Sequence, residues 1–196
     1  MLALPPAPPP AQRRQLFVGT SLAAAAGAML IGSMLAMWLR FRSAALAGPA
    51  SHWLPKKITV PEVASNIMLL SFIGICVFAQ WAVYAARRND KTHVGVALGL
   101  TSLLGLAVIN AQVTVYVQMG LPIVDKTASA YGIMFYAVTG TMLALIIVGI
   151  AFSLVTAFRY LGGRTSDREI VTAHAIYWYF IAAAFAMLWF VVYVTK

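Results

Sequence analysis

Three histidines, one cysteine and five carboxylates are the side chains here that could hold a metal, move a proton or form a covalent intermediate. The carboxylates Glu62, Asp90, Asp125, Asp167 and Glu169 all lie in short stretches between long apolar runs, and no run contains one. Buried acids are how membrane proteins carry protons, cations and metals, so the runs predict none of that chemistry in this chain. A transmembrane bis-haem centre needs paired histidines on facing helices, and a copper centre needs clustered histidine or cysteine. His52 falls in the first connection, and His93 and His174 sit near the ends of two different runs. The expectation is therefore no catalytic, cofactor or metal residue, with His93 and His174 anchoring at the interface or hydrogen bonding. The lone Cys76 excludes an internal disulfide and reads as a small packing residue, because a reactive thiolate needs a polar, electropositive setting.

The elements that must position these residues follow from composition. The chain has 196 residues, 62% hydrophobic and 10% charged, whereas a soluble domain is about half apolar and a quarter charged. The solvent of such a fold is lipid. Five runs reach the roughly 20 residues a spanning helix needs: Phe17 to Leu39, Val63 to Ala86, Val94 to Met119, Tyr131 to Phe158 and Ile170 to Val194. They must be helical, since an isolated strand leaves backbone groups unpaired in hydrocarbon. They are continuously apolar rather than alternating, which excludes a barrel. The fold class expected is an all-α polytopic membrane bundle of five transmembrane helices over residues 17–196. Residues 1–16, with Pro5, Pro6, Pro8, Pro9 and Pro10, read as a flexible tail. That tail does not read as a signal peptide, because Arg13 and Arg14 follow the prolines and directly precede a full-length span.

A formal charge of +9 would suggest nucleic acid in a soluble protein. Here the basic residues sit in loops and at span ends, which suits anionic headgroups. Arg87, Arg88, Arg159 and His174 are the candidates for contact with lipid headgroups. Five spans put the termini on opposite sides of the membrane. Arg13, Arg14, Arg87, Arg88, Lys91, Arg159, Arg164 and Arg168 share one side; Arg40, Arg42, Lys56, Lys57, Lys126 and Lys196 share the other. The positive-inside rule then favours a cytoplasmic N-terminus and an external C-terminus.

Small residues every four positions let helix backbones approach closely in lipid. The first span carries Ala24, Ala28, Gly32 and Ala36, and the third carries Gly95 and Gly99. These are the expected packing faces, toward this chain or another subunit. Asn66, Gln80, Asn110 and Gln112 are the amides inside the spans, each expected to hydrogen-bond across a helix pair. A small transporter would need a polar path through the bundle, for which these scattered amides and hydroxyls are the sole material.

From the first loop onward the order of residues resembles a known family. His52-Trp53-Leu54-Pro55 resembles its Trp-Pro-rich loop, and Ala85-Ala86-Arg87-Arg88-Asn89-Asp90 the charged turn ending its next helix. Gln112 and Tyr116 match a glutamine and a tyrosine of the following helix. Ser129, Tyr131, Gly132, Phe135, Tyr136, Thr139 and Gly140 resemble its Ser-x-Tyr-Gly-x-x-Phe-Tyr-x-x-Thr-Gly segment. Tyr177-Trp178-Tyr179-Phe180, with Tyr193, resembles its final helix, which begins Tyr-Trp-His-Phe. On these residues the chain is similar to subunit III of the haem-copper oxidases, cytochrome c oxidase among them, in the short five-span bacterial form. It departs where the family is ionisable: Gly27 and Val115 stand at glutamate positions, Tyr179 at a histidine and Ala182 at an aspartate.

The resemblance implies a non-catalytic subunit of a bacterial cytoplasmic membrane, packed on the haem-bearing catalytic subunit I and holding phospholipid. Haem and copper would belong to the partner subunits, and no nucleic acid is implied. The departures put a role in proton uptake in doubt. They leave open an accessory subunit of another membrane enzyme, such as a nitric oxide reductase.

Overall fold

The computed structural model describes residues 14–48, 52–55, 58–122, 129–163 and 167–195. The prolines of the N-terminal tail lie outside the described residues, as do Lys56, Lys57, Asp125, Lys126, Arg164 and Lys196. The helices are α1 Gln15–Ala47, α2 Glu62–Arg87, α3 Lys91–Met119, α4 Ala130–Leu161 and α5 Arg168–Leu188, the last continuing as a π-helical turn Trp189–Val194. All five are long and apolar enough to cross a membrane. Each begins and ends within a few residues of its apolar run except α1, which runs on from Leu39 to Ala47. Phe41 to Ala47 contains no helix breaker, so the chain stays helical until Gly48.

Local chemistry sets the boundaries. α2 starts directly after Pro61, with Glu62 in its first turn, where a negative charge suits the exposed N–H groups. Asp90 caps α3 by accepting from the His93 backbone N–H at 3.1 Å. The Asp90 carboxylate also contacts the His93 ring, Oδ2 to Nδ1 at 2.6 Å. These bonds, the backbone one first, hold the Asp90 carboxyl below the usual carboxylate range. Ser129 caps α4 through the Gly132 N–H at 3.1 Å. Asn89, at φ 57°, turns the chain sharply between α2 and α3, and asparagine is one of the few side chains that tolerates that conformation. Gly120 ends α3 at φ 52° and returns its N–H to the Tyr116 carbonyl.

The helices form a bundle in which α2 packs on α3, α3 on α4 and α4 on α1. α5 packs against α1, α2 and α4 and is the most buried of the five, while α1 is the least. α1 buries Ile31, Leu35 and Trp38, one stripe at helical spacing. Its small residues lie elsewhere: Ala24 is half-buried, and Ala28, Gly32 and Ala36 are exposed. A Cβ added at Gly32 or Gly99 would meet nothing within 4 Å, and one at Gly95 would make ordinary contact with Leu161 at 3.5 Å. The close approaches occur at other glycines. A Cβ at Gly27 would lie 2.5 Å from Phe180, one at Gly74 3.0 Å from Leu104, and one at Gly149 3.0 Å from Trp178.

Candidate functional site

The interior polar chemistry is organised by α5. Trp178 Nε1–H donates to both Ser153 Oγ and His174 Nε2, each at 3.0 Å. Ser153 Oγ and His174 Nε2 are 2.7 Å apart. An indole only donates, so its one N–H is shared between the Ser153 oxygen and the His174 ring nitrogen. His174 Nδ1 has no partner among the described residues. All three residues are fully buried. His174 therefore does not reach a lipid headgroup: its ring lies inside the bundle, tying α5 to α4. The indole fits because two glycines face it. A Cβ at Gly149 of α4 would come 3.0 Å from its ring, and one at Gly105 of α3 would come 3.2 Å from it. Trp178 thus touches α3 and α4 from α5. Gly149 and Ser153 are a small-xxx-small pair on the fourth span, and that spacing was the signal available in the sequence.

Three intramembrane amides are held by aromatic residues of α5 and its π-helical turn. Trp189 donates to Asn66 Oδ1 at 3.1 Å, Tyr179 to Gln80 Oε1 at 2.5 Å, and Tyr193 to Gln112 Oε1 at 3.2 Å. Trp189 and Tyr193 belong to the π-helical turn, where Thr195 N–H reaches back five residues to the Phe190 carbonyl at 3.1 Å. From this turn Trp189 meets α2 and Tyr193 meets α3. Asn110 is exposed, and no described residue bonds its amide.

The residues that carry the family resemblance gather largely in one place. Trp53 from the first loop, Trp38 of α1 and Tyr131 of α4 form an edge-on ring cluster with centroids 5.2 to 5.5 Å apart. Tyr131 stacks on Phe135 at 6.0 Å, and Phe135 in turn meets Tyr116, Tyr136 and Tyr193. Tyr116 donates to Thr139 Oγ1 at 2.8 Å, and Tyr136 to the Leu121 carbonyl at 3.2 Å. Tyr177 and Trp178 lie apart from this group, Tyr177 donating to the Leu145 carbonyl at 2.9 Å. Gly132 serves the α4 cap, and Gly140 is half-buried with open space at its Cα. Where the family pattern carries glutamates, Gly27 has its space occupied by the Phe180 ring and Val115 is fully buried.

The basic end of the bundle holds two clefts. One, of about 400 Å³, is lined by Arg14, Phe17, Arg87, Arg168, Glu169 and Thr172. Glu169 accepts the Phe17 N–H at 2.9 Å, and Arg168 donates to Asn89 at 3.0 Å. The other, of about 460 Å³, is lined by Trp81, Tyr84, Ala85, Arg88, Asp90 and His93. Arg87 and Arg88 are exposed, whereas Arg159 is paired with Asp167 at 2.5 Å. Among the described residues no group of three or more His, Cys, Asp or Glu is placed to hold a metal.

Fold and site together define an integral membrane helix bundle whose polar side chains bind its own helices to one another. The chain belongs to the cytochrome c oxidase subunit III family, whose model matches residues 23–196. It is 28% identical over 149 residues to cytochrome c oxidase subunit 3 of Rattus norvegicus, covering 72% of this chain and 54% of that protein. It is 26% identical over 166 residues to the subunit 3 of Homo sapiens and to that of Pan troglodytes, covering 80% of this chain and 61% of each relative. The chain thus spans between half and two thirds of the length of these relatives.

Proposed function

We propose that this chain is a non-catalytic integral subunit of a haem-copper terminal oxidase, serving aerobic respiratory electron transport by stabilising the catalytic subunit I. The observation that carries this is the family match across nearly the whole helical domain. The bundle supports it, because its intramembrane donors and acceptors serve packing: Trp178, Tyr179, Trp189 and Tyr193 all bond to neighbouring helices. Haem and copper are held by partner subunits. The exposed small-residue face of α1, Ala28, Gly32 and Ala36, suits close packing against such a partner.

Phospholipid is the second partner class in this reading, with Arg87 and Arg88 at the two basic clefts meeting its phosphate. The membrane is the bacterial cytoplasmic membrane, with the N-terminus inside and the C-terminus outside, as the arginines of the α2–α3 turn favour. Affinity purification of the tagged chain from its native membrane tests the proposal. Co-purification of a haem-bearing subunit together with copper-binding subunits is expected. Haem without copper subunits would point to a nitric oxide reductase type of partner, a reading favoured by the apolar residues at Gly27 and Val115. A stable preparation of this chain alone, with no haem spectrum, would reject both.

A further inference from the structure

We infer that the outer face of α3 around Asn110 is the seat of a transmembrane helix from another subunit, with the Asn110 amide as its hydrogen-bonding centre. The inference rests on the reading of this chain as one subunit of a larger complex. Asn66, Gln80 and Gln112 each accept a hydrogen bond from an aromatic residue of α5 or its π-helical turn. Asn110 is exposed, and it alone of these four has an amide that no described residue bonds. The nearby Thr114 hydroxyl is already used on the Asn110 backbone carbonyl, at 2.9 Å.

Depth makes this arrangement costly in lipid. α3 runs from Lys91 to Met119, so Asn110 lies about 7.5 Å along the axis from the helix midpoint at 1.5 Å per residue. That is inside a hydrocarbon core about 30 Å thick. Acyl chains offer an amide neither donor nor acceptor, whereas a helix at the same depth offers both.

The surroundings have the form of a helix seam. Gly99, Leu103, Leu106, Asn110, Val113 and Val117 are all exposed and follow one another at alternating intervals of four and three. That interval is the contact line of two helices crossing at a shallow left-handed angle. Gly99 opens a notch in it, since a Cβ there would meet nothing within 4 Å. One amide on an otherwise apolar seam sets the register of the partner as well as holding it. The occupant is a single membrane-spanning helix that carries a hydrogen-bonding side chain or a small residue opposite Asn110.

Photo-crosslinking in the native membrane tests this. A photo-reactive amino acid replaces Leu106 or Val113 on the seam, and Leu70 of α2 or Ile147 of α4, both exposed, as controls. Adducts to a spanning segment of a different chain, at least tenfold more abundant from the seam than from the controls, are the expected result. Adducts to a second copy of this chain, to lipid alone, or equally from all positions would overturn the inference. In a companion measurement on the purified complex, Asn110→Leu should reduce retention of this subunit in detergent about threefold, the size of an average interhelical hydrogen bond. Asn110→Gln should restore it. Unchanged retention in Asn110→Leu would count against the inference. If Asn110→Leu fails to fold, the crosslinks still decide. Wild-type protein that brings down no other subunit would overturn both this inference and the subunit reading. A normal complex without seam crosslinks would overturn this inference alone.

Discussion

Trp178 shows how much of this bundle depends on single side chains. Its indole fills the space left by Gly105 and Gly149 and satisfies Ser153 and His174 at the same time. Gly149→Leu should destabilise by about 1–3 kcal/mol, because added side-chain atoms overlap a ring that cannot retreat into packed neighbours. Gly19→Leu, facing open space, should leave the unfolding temperature of the detergent-solubilised protein within error of wild type. Near-equal unfolding temperatures for the two variants would refute the packing role given to Trp178. Trp178→Phe removes the donor from two buried acceptors, at a cost of about 1–3 kcal/mol by the price of unsatisfied buried groups. The same logic applies to Gly27, whose missing side chain is replaced by the Phe180 ring. Gly27→Glu alone should therefore lower stability. Gly27→Glu combined with Phe180→Ala, which clears room for the carboxylate, should recover part of the loss in the same thermal assay.

At the level of elements, α5 is the helix that holds the others. Tyr179 and Tyr193 both donate to amides, but their settings differ: the Tyr179 pair is exposed on the α2 side, and the Tyr193 pair is buried against α3. Tyr193→Phe leaves the buried Gln112 carbonyl without its donor and should cost more than Tyr179→Phe. An average interhelical bond of this kind is worth about 0.6 kcal/mol, so equal losses measured by denaturant titration in micelles would contradict the burial argument. The α2–α3 turn gives a pH dependence. The His93 backbone N–H, then the His93 ring, hold the native Asp90 carboxyl below the usual carboxylate range. A carboxylate depressed in the folded state adds stability above its unfolded pKa, and that stability is lost as pH falls through the folded value. The cap should therefore hold throughout the neutral range and fail only in acid, below the ordinary carboxylate range. Asp90→Asn, which keeps a capping side chain but cannot ionise, should flatten this acid limb without loss at neutral pH. An acid limb unchanged in Asp90→Asn would show that other groups cause it.

For the whole molecule, the five helices and the family match define what the chain is, and charge placement argues how it sits. The orientation proposed puts Arg87, Arg88 and Arg168 on the cytoplasmic side. A cysteine placed at Asn89 in a Cys76→Ala background should then resist a membrane-impermeant maleimide in intact cells and react in inverted vesicles. One placed at His52 should do the reverse. Labelling of the Asn89 position from outside would invert the proposed topology.

The five spans, their helical state and the family were legible in the chain itself. In lipid a run of about 20 apolar residues has no alternative to a helix, so composition and length are enough. The caps at Asp90 and Ser129 are likewise local, each a side chain meeting a backbone N–H three residues on. The faces packed within this chain were not legible. The regular small-residue series of α1 and the Gly95–Gly99 pair do not make the close contacts within this chain, which fall at Gly27, Gly74, Gly105 and Gly149. A glycine's partner is a ring or branched side chain far along the sequence, and no spacing within one helix encodes it. His174 follows the same rule: near a span end by position, it is buried because α5 runs through the bundle against α1, α2 and α4. The sequence alone determined which segments cross the membrane, because that depends on each segment and its solvent. Which side of each helix faces the other helices, and so which amides are satisfied and which, like Asn110, are bonded by no described residue, was decided by how five helices share one interior.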